Sequence, residues 1–217
     1  MRLPAASRRI PSMTVQTVTL ALTGASGMPY GIRLLECLIH AGVRVYLLHS
    51  QAAQIVAKQE MDLTLPARKQ ELEALFAERF HAQPGQLSAF GREEWFAPVA
   101  SGSNPADAMV ICPCSMGALA AIAAGLADNL IERAADVMLK EGHKLILVPR
   151  ETPLSALHLE NMLKLARMNV VILPPNPGFY HHPQKIEDLI DFVVARILDQ
   201  LAISHDLMPR WGTPAGE

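Results

Sequence analysis

Residues 17–31 read Thr-Val-Thr-Leu-Ala-Leu-Thr-Gly-Ala-Ser-Gly-Met-Pro-Tyr-Gly, an apolar run that breaks into small residues and then opens a helix. A strand–loop–helix junction of this kind suits an anion. Glycines admit a ligand close to the backbone, and a helix N-terminus offers free N–H groups with a partial positive charge. Ser26 adds a hydroxyl that can cap the helix or touch the ligand. The glycines at 24, 27 and 31 are spaced Gly-x-x-Gly-x-x-x-Gly, not the Gly-x-Gly-x-x-Gly of dinucleotide folds.

The same alternation continues along the chain. Apolar runs at residues 17–23, 43–48, 106–112, 144–148 and 170–173 read as strands. Periodic segments at 30–41, 51–60, 67–80, 116–124, 129–140, 155–168 and 186–201 read as helices. Strands and helices in alternation make an α/β fold, a doubly wound parallel sheet covered on both faces, here as one domain over residues 17–203. Ligands of such sheets sit beyond the carboxyl ends of the strands. The first strand ends in Gly24, Ala25 and Ser26, the second in His49-Ser50, and the third in Ser115-Met116-Gly117-Ala118. The fourth ends in Arg150-Glu151 between Pro149 and Pro153, and the fifth in a loop that carries Tyr180. Dinucleotide folds place Asp or Glu at the end of the second strand for the ribose hydroxyls. His49-Ser50 there, with the glycine spacing, points to a mononucleotide such as FMN.

Composition narrows the class further. Half the residues are hydrophobic and 18% are charged, so some apolar surface is expected between subunits. A formal net charge of −2 gives no footprint for nucleic acid or an anionic membrane, and no apolar run reaches the length of a membrane span. Cys37, Cys112 and Cys114 make no disulfide framework, which fits a reducing cytoplasmic setting. His181-His182 has no partner at ligand spacing, and no metal site is expected. Residues 1–16, with Arg2, Arg8 and Arg9 and no apolar core, read as a disordered tail.

Arg150 beside Glu151 can offer a phosphate fork and a proton donor together, held by two prolines. Lys140, Tyr180 and Arg196 are further candidate phosphate ligands. Five motifs then occur in order: Thr23-Gly-Ala-Ser-Gly27-x-x-Tyr-Gly31, Pro113-Cys-Ser115, the run from Asn129 to Glu141, Pro149-Arg-Glu-Thr-Pro153, and Pro177-Gly-Phe-Tyr-His181. With these motifs the chain resembles the UbiX-type flavin prenyltransferases from about Val18 to Trp211.

The resemblance implies a flavodoxin-like (Rossmann-like) three-layer sandwich, assembled as a homo-oligomer, typically a dodecamer, with active sites built at subunit contacts. It implies a metal-independent enzyme that joins a dimethylallyl group from dimethylallyl phosphate to N5 and C6 of reduced FMN. The prenylated FMN would serve a UbiD-type decarboxylase. Gly24, Ala25, Ser26, Ser50, the segment Ser115, Met116, Gly117 and Ala118, and Arg150 would hold FMN. Lys140, Arg150, Glu151, Tyr180, Arg196 and Trp211 would bind the dimethylallyl phosphate. Ser26, Glu60 and Glu151 are the catalytic candidates, with Glu151 as the acid for the departing phosphate. Trp95 matches an aromatic border of the site, and residues 204–217 would pack near it. Family members often carry two more hydroxyls where this chain has Met116 and Ala118, which leaves Ser115 and backbone N–H groups to serve the flavin. Alternatives are an FMN-dependent cysteine decarboxylase of the same fold and a non-catalytic flavin carrier. The substrate motifs expected of the first are absent, and the second has no use for Arg150-Glu151.

Overall fold

A computed structural model describes residues 15–208. The six strands are β1 (Thr17–Leu22), β2 (Arg44–His49), β3 (Leu87–Ala89), β4 (Ala108–Cys114), β5 (Lys144–Pro149) and β6 (Val171–Ile172). All are parallel, in the order β3-β2-β1-β4-β5-β6. Five of them are the strands read from sequence, and without β3 their order is the flavodoxin one. The sequence reading missed β3, a three-residue edge strand beside β2. It also set the third strand two residues early: Cys114 belongs to β4 and pairs with Pro149 across an irregularity in register.

Two cores flank the sheet because strand side chains alternate between faces. Val18, Leu20 and Leu22 of β1 point to one face, with Val110 and Cys112 of β4 and Ile146 and Val148 of β5. That face is covered by α1 (Met28–His40), α2 (Gln51–Met61), α3 (Lys69–Phe80) and α7 (Ile186–Gln200). Ala21, Met109, Ile111, Leu145 and Leu147 point to the other, under α4 (Met116–Ala124), α5 (Leu130–Glu141) and α6 (Ala156–Ala166). Strands buried on both faces explain the near-continuous apolar runs of the sequence. Pro29 is tolerated in the first turn of α1, where no intrahelical N–H bond is lost, so that helix starts two residues before its expected position.

Growth of the sheet reverses between β1 and β4, which leaves a crevice beyond their carboxyl ends. Thr23 closes the floor of that crevice. Its buried hydroxyl donates to the Pro113 carbonyl (2.8 Å) and accepts from the Ser115 N–H (2.7 Å), which ties the two strand ends together.

Candidate active site

The crevice opens into a cavity of about 390 Å³ whose wall includes Thr23, Gly24, Ser50, Ser115, Ala118 and Arg92. Its size falls within the range of small-molecule sites. Three helices begin at this wall, each with its own polar cap. Ser50 Oγ accepts from the Ala53 N–H at the start of α2 (3.1 Å), and Ser115 Oγ accepts from the Ala118 N–H at the start of α4 (3.2 Å). Asn129 Oδ1 accepts from the Ile131 and Glu132 N–H groups of α5 (3.0 and 3.1 Å). Both serines are therefore helix caps, and each keeps its hydroxyl proton for a ligand. Three helix dipoles converge on the cavity and favour an anion there.

The glycine loop presents backbone, not a bare helix end. A Cβ on Gly24 would lie 2.4 Å from the Ala52 Cβ, so only glycine lets the loop pass the first turn of α2. Gly27 sits at φ +112° before α1. The free N–H groups at this end are taken by the protein itself: Glu60 Oε2 accepts from Gly27 (2.9 Å) and Met28 (2.8 Å). Glu60 thus satisfies the start of α1, one edge away from Ser26. Burial, then the charges of Cys112 and Glu60, hold the Tyr30 phenol above its ordinary range, so Tyr30 stays protonated beside this carboxylate.

Arg150 and Glu151 follow β5, next to the loop. The Arg150 Nε–H makes a long 3.4 Å contact with the Ser26 carbonyl, and the Arg150 N–H donates to the Cys114 carbonyl (3.4 Å). The Glu151 side chain is exposed and accepts from the Thr152 N–H (3.1 Å). Gly24, Ala25, Ser26, Ser50, Ser115, Arg150 and Glu151 thus gather at one rim, with Met116 and Gly117 on the first turn of α4. A Cβ on Gly117 would meet open space, so its backbone is accessible.

The remaining candidates lie elsewhere. Helices run down from the carboxyl rim, so the last turn of α5 places Lys140 at the amino rim, paired with Glu141 and lining another hollow between α4, α5 and α6. Arg196, one turn from the end of α7, pairs with Asp199 (2.6 Å). Lys144 at the start of β5 donates to the Gln200 carbonyl, which fixes that helix end at the same amino rim. Tyr180 stands in the loop beyond edge strand β6, packed edge-on against Phe192 and His181 (5.8 Å between ring centres). Trp95 is half exposed beside the fully exposed Phe96, in the loop after β3. Trp211 lies outside the described residues. The segment from residue 204 begins at the amino rim, where His205 lies 3.3 Å from Asp199.

Sequence reasoning named Thr23 only as a strand end and the start of a motif, without a role at the site, and did not single out Arg92. A polar residue closing an apolar strand marks the first, whereas the second depends on the unrecognised β3. Burial holds all three thiols above their ordinary range, Cys37 at about 11 and Cys114 at about 12, so none is a nucleophile at neutral pH. Among the described residues no group of three or more His, Cys, Asp or Glu side chains is gathered as for a metal ion.

A crevice at the switch point of a parallel sheet, walled by helix N-termini and capped serines, defines a mononucleotide-binding flavoprotein fold. The Flavoprotein family profile matches residues 8–198. The flavin prenyltransferase UbiX of Pseudomonas aeruginosa is 57% identical over 197 residues, 91% of this chain and 94% of that one. Among solved structures, AnUbiX (PadA1) in complex with FMN and dimethylallyl pyrophosphate is 41% identical with a TM-score of 0.82, covering 92% of this chain and 98% of that one. A dodecameric FMN-dependent UbiX-like decarboxylase from Escherichia coli O157:H7 is also 41% identical, with a TM-score of 0.80, over 91% of this chain and all of the other. The chain is a flavoprotein, and within that class it belongs to the UbiX flavin prenyltransferase family.

Proposed function

We propose that this protein transfers the dimethylallyl group of dimethylallyl phosphate to N5 and C6 of reduced FMN, and so supplies prenylated FMN to a UbiD-type decarboxylase. The observation that carries the reading is the shared rim. Cradle residues Gly24, Ser50 and Ser115 line one cavity, and Arg150, with Glu151 next in the chain, reaches the Ser26 carbonyl beside it. The residues present fit FMN: open backbone at Gly117, free hydroxyl protons on Ser50 and Ser115, and three convergent helix dipoles. Reduced FMN, when bound, supplies the electron-rich ring that accepts the allyl group.

The protein's own task is the leaving phosphate. Cleavage of an allylic C–O bond gathers negative charge on phosphate and positive charge on carbon. Arg150 bridges ring and phosphate, and Glu151 delivers the proton that helps phosphate depart. Lys140, Tyr180 and Arg196 provide the rest of the phosphate pocket. Since Lys140 and Arg196 stand at the amino rim, they serve the site of a neighbouring subunit in an assembly, a dodecamer by the precedent of the bacterial relative. Exposed Leu154, Leu157, Leu163 and Met168 on and around α6, with Leu126 after α4, furnish apolar surface for such contacts. Free thiols fit a reducing cytoplasm, and among the described residues no helix is long and apolar enough to cross a membrane.

Anaerobic incubation with reduced FMN and dimethylallyl phosphate, without added metal, tests the reading. The extracted flavin is expected to gain the mass of one C5H8 unit. Unaltered flavin with either the monophosphate or the diphosphate donor would overturn it.

A further inference from the structure

The loop after β3 brings one cation to the cavity that no motif marks. Among the described residues lining the cavity, Arg92 is the sole lysine or arginine. Arg92 also lines the adjoining hollow with His49, Gln51 and Lys69, and Gln51, the first residue of α2, lines both spaces. The backbone that carries it is fixed on both sides. Phe90 N–H donates to the Leu47 carbonyl (3.1 Å), and the Arg92 carbonyl accepts from the Leu130 N–H at the head of α5 (2.8 Å). Between these points, Gly91 N–H donates to Glu94 Oε2 (3.1 Å), and Glu94 is in turn held by Lys69 (2.6 Å).

Among the described residues, no carboxylate claims the Arg92 guanidinium. The ion pairs among the described residues engage Lys69, Arg133, Lys140 and Arg196 but not Arg92. The one acid in the cavity wall, Glu132, turns its carboxylate to the Asp128 N–H (2.8 Å). An arginine held in place without a partner, facing three helix N-termini, is poised for a dianion.

Position decides which anion. Arg150 and Glu151 stand by Ser26, at the far end of the loop from Ser50 and Gln51. A flavin whose reacting ring lies at the Glu151 end must extend its ribityl phosphate to the other end, toward the α2 terminus and Arg92. We propose that Arg92 is the residue that recognises the FMN phosphate and makes the protein selective for the phosphorylated flavin over riboflavin. This rests on the cavity being the FMN site.

Titration of the full-length protein with FMN and with riboflavin, followed by flavin fluorescence, tests both levels. Replacing Arg92 by Gln (Arg92→Gln) is expected to weaken FMN about ten- to a hundredfold, the worth of a charge-assisted pair, and to leave riboflavin within about twofold. Arg92→Lys retains the charge without the planar fork and is expected to fall between the two. Undiminished FMN affinity in Arg92→Gln, or an equal loss for both flavins, overturns the assignment. If the unaltered protein binds FMN no better than riboflavin, phosphate recognition fails at any residue. If it binds neither flavin, the cavity reading itself falls, and the assignment with it.

Discussion

Glu151 is a side chain with little structural work to do. It is exposed, and its carboxylate accepts from the N–H of its own neighbour, Thr152. Glu151→Gln removes the titrating proton and keeps the shape, so FMN affinity is expected to hold while prenyl transfer falls by about two to four orders of magnitude. Equilibrium titration beside single-turnover flavin mass separates the two effects. Equal loss of binding and transfer would mark Glu151 as a binding residue. His49 gives the opposite case, a group whose burial carries a pH signature. Desolvation, opposed by its bond to the Ser50 carbonyl, lowers its pKa from the ordinary 6.5. A lowered pKa on a base means that the unfolded chain takes up the proton first. The stability that neutral His49 contributes is full above 6.5 and is lost as pH falls below it. Between about pH 7.5 and pH 5.5 the urea midpoint is expected to drop less for His49→Asn than for the unaltered protein.

Among the elements, α1 shows how a single atom sets a packing distance. Gly31 faces β4 so closely that a Cβ would lie 2.3 Å from the Cys112 carbonyl oxygen and 2.7 Å from a Leu22 methyl. The first of these is backbone and cannot rotate away. Gly31→Ala, although favoured by helix propensity, is expected to cost roughly 1–3 kcal/mol and to widen the crevice that α1 and β4 share. Chemical denaturation measures the first effect and FMN affinity the second. The long elements were legible because their physics is local: two-faced burial writes continuous apolar runs, and glycine at 42, 125 and 142 writes helix ends. β3 was not, since Leu-Ser-Ala is too short to show a period, and its pairing with Val45, Tyr46 and Leu47 is a tertiary fact. Arg92 went unread with it. Ser50 and Ser115 were legible as caps or ligands, and the structure gives them the first role without removing the second. Glu60 was legible only by resemblance, because its contact with Gly27 and Met28 spans more than thirty residues of sequence, 32 in the nearer case.

For the whole molecule, the question is why one fold carries two of its candidate phosphate ligands, Lys140 and Arg196, on the rim opposite Glu151. Glu151 follows β5 at the carboxyl end of the sheet, and Lys140 precedes the same strand at the amino end. The six residues of β5 separate those ends by roughly 20 Å at ~3.3 Å per residue, which no lysine side chain bridges. Within one chain Lys140 cannot meet Glu151 across a single phosphate, so the site proposed above would draw on two copies. The prediction is complementation. Lys140→Ala and Glu151→Gln, each produced alone, are expected to transfer almost no prenyl group. Produced together in one cell they form mixed assemblies, and some sites draw Glu151 from the first variant and Lys140 from the second. With equal amounts and random mixing, about one site in four is intact in a closed symmetric assembly. Activity near that fraction of the unaltered level would place the two residues in different subunits of one site. Mixed assemblies as inactive as either parent would mean that one chain supplies both residues or that Lys140 serves elsewhere. The exposed Leu157 and Leu163 of α6 then become the surface to charge, because losing the assembly should cost transfer before it costs the fold.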